Sequence, residues 1–338
     1  MPTKYEFLEI DGKEVRISNP DKVFFPATGA TKMDLVQYYL AVEPGALKGA
    51  FRRPSTMYRW PNGVQAPDDA FYQKRVPVKG RPDWIESVVV KFPSGREADM
   101  LVIADIAHVV WAVNLGCLDL NPWPVRSDDV DHPDELRVDL DPTPDVPFEN
   151  AREVAMVVKE VLEEHDLVGY PKTSGKRGIH IYVRIEPLWG FQHVRRAALA
   201  LAREVERREP ALATTAWWKE ERHGVFVDYN QNARDRTIAS AYGVRPTEDG
   251  RVSCPLAWDE VPDVEPETLT MATVPARFEK IGDPGASIDD TVGSLDALLD
   301  LAARDEAGGL GDAPWPPHFP KMKGEPPRVQ PSKRKMKG

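Results

Sequence analysis

The chain has 338 residues, enough for one large or two modest domains with a sizeable core, and its apolar and charged fractions are those of an ordinary enzyme. No apolar run approaches the roughly 18–20 residues of a membrane span, and the N-terminal MPTKYEFLEIDGKEV alternates like a strand without a signal peptide's apolar centre, so a cytoplasmic (nucleoid) location is expected. Two distant cysteines, Cys117 and Cys254, argue against a zinc site or a disulfide framework, and a net charge of −10 argues weakly against a nucleic-acid partner, although residues 319–338 carry seven Lys/Arg and one Glu.

In chain order, residues 1–20 read as a hairpin, KYEFLEI and KEVRIS joined by Asp11-Gly12. Thr31 stands as the N-cap of a helix on which Leu35, Tyr38, Tyr39 and Val42 share a face. Residues 54–60 and 70–76 read as strands divided by a Pro-Asn-Gly turn, residues 84–92 as another strand, and DIAHVVWAVNLGCL (105–118) as a helix. ELRVDLDP (135–142) is a short strand and 149–167 an amphipathic helix. YPKTSG (170–175) reads as a turn leading into the alternating strand KRGIHIYVRIEP (176–187). A long helix over 193–210 ends at Pro210, HGVFVDYNQN (223–232) is a strand, and 235–246 a loop. One last helix is expected within 287–306, followed by a proline-rich and then basic tail that wraps or stays mobile. Strands and helices alternating in this way indicate a mixed α/β, or α+β, catalytic core.

Three stretches carry chemistry. In Arg137-Val138-Asp139-Leu140-Asp141-Pro142, strand periodicity puts Asp139 and Asp141 on one face and Val138 and Leu140 on the other. Paired carboxylates repel unless a cation sits between them, and divalent metals holding a triphosphate supply one; an isolated Asp-x-Asp is equally at home at a solvated strand end. In Lys172-Thr173-Ser174-Gly175-Lys176-Arg177-Gly178-Ile179-His180, the glycines permit close backbone approach, and the Ser174 hydroxyl, successive amides and Lys176 suit phosphate oxygens. It is not a Walker loop, since no Lys-Ser/Thr and helix follow. Asp228 in VFVDYN is an acid among strand residues, costly to bury without a partner, and Arg234, Arg236 and Arg245 follow on a loop suited to phosphates.

Taken together, RVDLDP, TSGKRGIHIYV and VFVDYNQN resemble the archaeo-eukaryotic primase superfamily, and SNPDKVFFPATGATK, YRWPNGV, FYQK and TVPARFEKIGDP narrow the likeness to the polymerase domain of bacterial ligase D and its stand-alone relatives, over about residues 10–285. The resemblance implies a primase-polymerase fold, with central, largely antiparallel sheets flanked by helices. It implies a catalytic domain over 1–285, with 1–125 serving template and 5′-phosphate contacts and 126–285 catalysis, and an extension over 286–338. By position, Asp139, Asp141 and Asp228 match the carboxylates that bind two Mn²⁺ or Mg²⁺ ions. Ser174, Lys176, His180 and Arg245 match nucleotide-binding residues, and Phe71, Tyr72 and Lys74 template contacts, although adjacent strand residues face oppositely, so at least one of the aromatic pair is expected in the core. Lys22 and Lys32 match lysines that hold a 5′-phosphate. Asn121 replaces the family's usual histidine before Pro122-Trp123, and Arg236 a usual lysine. The implied activity is template-dependent nucleotidyl transfer that fills short DNA gaps with a preference for ribonucleotides. The implied partners are gapped or broken DNA, NTP or dNTP, a separate ligase and an end-binding protein, for a chain acting as a monomer off the membrane. The rivals are a catalytically quiet DNA-end-binding scaffold and a metal-dependent nuclease.

Overall fold

The structure, a computed structural model, describes residues 4–322 and 325–328; most of the basic tail expected at 319–338 lies outside the described residues. The N-terminal hairpin forms as its Asp-Gly turn predicts, from β1 (Tyr5–Ile10) and β2 (Lys13–Ser18), with both turn residues at positive φ. A small ribbon, β3 (Val23–Phe25) and β4 (Ala30–Thr31), leads into α1 (Lys32–Ala41). Thr31 caps α1 in a capping box with Asp34. Helix α2 (Glu43–Ala50) follows, then β5 (Pro54–Arg59), β6 (Phe71–Gln73), β7 (Ser87–Lys91), β8 (Glu97–Val102), α3 (Ile106–Asn114) and β9 (Cys117–Pro122). Strands β5 to β9 form one antiparallel sheet in which β5 pairs with β6, β8 and β9.

The second sheet holds β10 (Glu135–Pro142), β11 (Gly169–Thr173), β12 (Ile179–Arg184), β13 (Ala213–Thr214) and β14 (Val225–Val227). Its order is β11-β12-β10-β14-β13, antiparallel except for the β13–β14 pair. Helices α4 (Phe148–Glu163) and α5 (Phe191–Arg208) pack on it. They bury Val154, Val158, Val161, Val194 and Leu201, each contributing about 1.5–3 kcal/mol. A short α6 (Val274–Ile281) and α7 (Asp296–Ala307) complete the chain, and α7 packs along α5. The apolar cores beneath both sheets are one connected cluster, running from Ile10 to Ala302. Cys117 and Cys254 are free and buried. Among the described residues no helix is long and apolar enough to cross a membrane.

The element boundaries correct the sequence reading in five places. The expected helix over 105–118 stops at Asn114, because Gly116 takes φ +83° and turns the chain into β9. The expected turn over 170–175 is mostly strand β11, and the turn begins at Ser174. The expected strand over 223–232 ends at Val227, where the Asp228 side chain accepts the Asn230 N–H and starts a 3₁₀ turn over Tyr229–Asn232. Strand β6 keeps only three of the seven residues expected over 70–76, and β8 was not anticipated.

Candidate active site

The register of the second sheet assembles the site. Asp139 on β10 lies directly opposite His180 on β12, and His180 lies opposite Lys172 on β11. On the other side of β10 the pairing with β14 runs to Leu140–Val227, and the Asp228 N–H donates to the Asp139 carbonyl at 2.8 Å. Lys172, His180, Asp139 and Asp228 therefore form a row across four strands, with Asp141 two residues along from Asp139 on the same face. That face is not the open polar surface that alternation suggests: Lys172, His180 and Asp139 are all buried, and only Asp141 is exposed.

Burial first, and then the charges of Asp141 and Asp228, hold the Asp139 carboxyl well above the usual range. Burial, reinforced by Asp141, pushes Asp228 up to about 6, against the Asn230 N–H that its Oδ1 accepts at 2.9 Å. Asp139 Oδ2 accepts one hydrogen bond, from Gln231 Nε2 at 2.9 Å, whereas Asp139 Oδ1 is buried with no hydrogen-bond partner and sits 3.4 Å from His180 Nε2. His180 Nδ1 is 2.6 Å from Lys172 Nζ, which also donates to Ser253 Oγ at 2.5 Å, and the Ser253 hydroxyl donates to the Thr173 carbonyl. Burial and the neighbouring Lys172 and Arg245 hold the imidazole well below its ordinary pKa, so it is neutral.

Three acids on one face with an unpartnered buried oxygen are a poor arrangement for stability and a suitable one for divalent cations, which take carboxylate oxygens and offset their repulsion. Among the described residues no three or more His, Cys, Asp or Glu side chains are grouped closely enough to hold a metal ion as they stand.

A cleft of about 420 Å³ opens over the row, bounded by Asp139, Asp141, Ser174, His180, Tyr72 and Arg245. The turn over 174–178 is held from within. Ser174 Oγ accepts the Lys176 and Gly178 N–H groups at 3.2 and 2.9 Å, leaving its own proton free to donate. A Cβ on Gly175 (φ +69°) would lie 2.3 Å from Arg245 Cγ, and one on Gly178 2.4 Å from the Leu140 carbonyl oxygen, so neither position accepts a side chain. Lys176 is exposed at the rim. Arg245 forms an ion pair with Asp119, which is fully buried on β9, so the first sheet fixes an arginine of the irregular segment that follows β14. Asn121, also on β9, lines the cleft and donates to the Asp119 carbonyl.

Phe71 and Tyr72 are both exposed, at 43% and 56%, correcting the expectation that one is core. On the edge strand β6 each face is open: Tyr72 stacks on Tyr58 with centroids 4.1 Å apart and planes 4° apart, and Phe71 lies against the Arg59 guanidinium. Lys74 pairs with Asp235 and covers the Phe92 ring. Arg234, expected to meet phosphates, is bound to Asp131 and the Lys91 carbonyl. Lys22 Nζ donates to the Pro61 carbonyl and Asn62 Oδ1. Lys32 is buried, with Nζ donating to the carbonyls of Ser18 (2.6 Å) and Asn114 (3.1 Å). Burial, Lys22 and Arg59 lower its pKa to about 8.

Sequence reasoning assigned no role to Lys172, Gln231 or Asp119. The alternation of Tyr170 and Lys172 points to the first, once that stretch is read as a strand.

Comparisons with known proteins bear on the family and the fold. The family model for the LigD primase-polymerase domain matches residues 31–285. The chain is similar to the multifunctional non-homologous end joining protein LigD of Mycolicibacterium smegmatis, 31% identical over 312 residues, covering 91% of this chain and 40% of that protein. It is 30% identical over 274 residues to the bifunctional non-homologous end joining protein LigD of Bacillus subtilis, covering 80% of this chain and 43% of that protein. It thus spans less than half the length of these curated relatives. Among solved structures, the polymerase domain of Mycobacterium tuberculosis ligase D in complex with DNA superposes with a TM-score of 0.76 at 30% identity, covering 82% of this chain and 99% of that one.

Proposed function

The chain belongs to the LigD primase-polymerase domain family, a family of DNA repair by non-homologous end joining, and from that premise we propose that it is a template-dependent nucleotidyltransferase that fills short gaps at DNA breaks. The observation that carries the reading is the row Lys172–His180–Asp139–Asp228 with Asp141 beside it, of which His180, Asp139 and Asp141 line a cleft that Lys176 and Arg245 also line. The reaction is in-line attack of a primer 3′-hydroxyl on the α-phosphate of the incoming nucleotide; a new P–O bond forms, the α–β bridge breaks and pyrophosphate leaves.

Asp139, Asp141 and Asp228 would hold two divalent cations, Mn²⁺ or Mg²⁺, which when bound lower the pKa of the attacking hydroxyl and offset charge on the leaving pyrophosphate. Lys176 and Arg245 attract the triphosphate, and Asp119 aims the arginine. The Ser174 hydroxyl and the neutral His180 Nε2–H offer hydrogen bonds to phosphate oxygens without adding charge. Tyr72, backed by Tyr58, offers a flat ring to a template base, a contact that tolerates any sequence, with Phe71 and Lys74 beside it. Lys22 and Lys32, with Arg59, form a cationic cluster that would take the 5′-phosphate across a gap. This assigns 1–125 to template and 5′-phosphate contacts and 126–285 to chemistry, in a monomer of the nucleoid that works beside a ligase activity and an end-binding protein. Ribonucleotides are the favoured substrate on the family resemblance.

A scaffold that only binds ends gains nothing from three repelling carboxylates, and a nuclease gains nothing from the Lys176–Arg245 rim. Incubating the protein with a gapped duplex, labelled NTP or dNTP and Mn²⁺ separates these readings: extension supports the polymerase, retardation alone the scaffold, and cleavage the nuclease.

A further inference from the structure

Arg195 lies in the middle of the amphipathic helix α5, yet it is one of the most deeply buried side chains of the molecule, 1% exposed. A buried guanidinium is tolerated only where its donors are met. Here Nε donates to Asn230 Oδ1 at 2.8 Å, Nη1 to Asp312 Oδ1 at 2.8 Å, and Nη2 to the carbonyls of Ala313 and Pro314, both at 3.0 Å. Its Cζ lies over two rings, 5.3 Å from the Tyr229 centroid and 4.2 Å from that of Trp315. Tyr229 and Asn230 are the two residues after Asp228, and it is the Asn230 N–H that Asp228 Oδ1 accepts.

The other half of this clamp comes from beyond the family match, which ends at residue 285. Trp315 Nε1 donates to Asp312 Oδ2 at 2.8 Å, and its backbone N–H to Glu325 Oε1 at 2.7 Å. Glu325 also accepts the Met322 N–H and pairs with Arg328, tying these residues to Trp315 on the side of α5 that Arg195 occupies.

We propose that Arg195, clamped by Trp315 and Asp312, is a positioning residue for Asp228, so that the C-terminal segment after α7 is part of the scaffold of the acid site. The clamp fixes the Asn230 side chain, Asn230 fixes the Asp228 carboxylate by its backbone N–H, and the carboxylate is held ready for a cation. Residues that orient metal ligands in this way commonly change metal affinity or activity about 10- to 100-fold when lost. The proposal rests on the polymerase reading.

The test uses the full chain with Trp315→Ala, the milder Asp312→Ala, and Trp315→Phe as the conservative variant. Three quantities are read: Mn²⁺ affinity from the free-ion EPR signal without nucleotide, kcat and KM for gap extension, and the thermal melting midpoint. For Trp315→Ala the expected result is Mn²⁺ affinity and kcat both lower by about 10-fold, with KM for the nucleotide within about 2-fold, measured well below the midpoint. Asp312→Ala shifts both in the same direction by less, and Trp315→Phe restores most of the loss. Folded Trp315→Ala and Asp312→Ala proteins with wild-type Mn²⁺ affinity and kcat would overturn the clamp. If Trp315→Ala does not fold, Asp312→Ala alone decides. Asp139→Ala is run in parallel: activity that survives it defeats the polymerase reading itself, whereas activity that needs Asp139 but ignores Trp315 and Asp312 defeats only the clamp.

Discussion

The acid row on β10 and β14 and the lysine pair beside β3 and α1 are both made by crowding like charges, one negative and one positive. In the first, burial and mutual repulsion drive Asp139 and Asp228 upward; in the second, burial and the charges of Lys22 and Arg59 drive Lys32 down to about 8. Each arrangement costs the empty protein stability and is relieved by a ligand of opposite sign. The difference lies in what holds the charges. The acids sit on adjacent strands and inherit their geometry from backbone pairing, whereas Lys22 and Lys32 are held by carbonyl oxygens of Pro61, Ser18 and Asn114 from three separate segments. On the proposed reading, strand pairing supplies a rigid centre for chemistry, and the lysine cluster held by separate segments supplies recognition.

The comparison breaks first if losses at the two clusters are alike in kind. Removing any one acid, Asp141→Ala or Asp228→Ala, is expected to lower gap extension by about 10³-fold or more, the pair together costing little beyond either, because the acids act as a unit. Product yield on a one-nucleotide gap, single against double variant, measures this; additive losses would separate the acids. Lys32→Ala is expected to leave extension of a gap without 5′-phosphate unchanged and to remove the preference for a phosphorylated gap, a loss of about 1.5–3 kcal/mol for a charge-assisted contact. In the wild type that preference is expected in full below pH 7 and to fall as pH rises through about 8, because the ammonium of Lys32 is the charged form and is lost above its lowered pKa. A preference flat from pH 6.5 to 9 would assign the phosphate elsewhere. Tyr72→Ala is expected to weaken binding of template-bearing DNA by about 1–3 kcal/mol without altering retention of the free nucleotide, read by fluorescence anisotropy. The smallest effect is on stability: Asp139→Asn in EDTA is expected to raise the melting midpoint by about 2 °C, since the cost of burying the carboxylate and its repulsion by Asp141 and Asp228 are relieved. Added Mn²⁺ reverses that order.

Legibility followed the same division. Asp139 with Asp141, and His180 with Tyr182, are legible as polar faces because a strand has a period of two, whereas the grouping of Asp139, His180 and Asp228 rests on the family resemblance and, in the fold, on the register of three strands. Lys172 went unassigned because Tyr170–Ser174 read as a turn, which cancels the alternation that pairs it with His180. Asp119 was hidden when the apolar run after Asp105 was read as a single helix; Gly116 was the signal of a break, and β9 begins directly after it. Charged positions on an amphipathic helix ordinarily face solvent, so Arg195 looked unremarkable, and its partners Asp312 and Trp315 are more than a hundred residues away. Periodicity reports faces and says nothing about which distant segment will cover them.

The most direct test of the central claim is extension of a one-nucleotide gap by the wild type and by Asp139→Ala, side by side with labelled ribonucleotide and Mn²⁺ or Mg²⁺, alongside retention of the same DNA. The account predicts extension by the wild type that EDTA abolishes, none by Asp139→Ala, and DNA retention equal in both within about 2-fold. Wild-type-like extension by Asp139→Ala would contradict it.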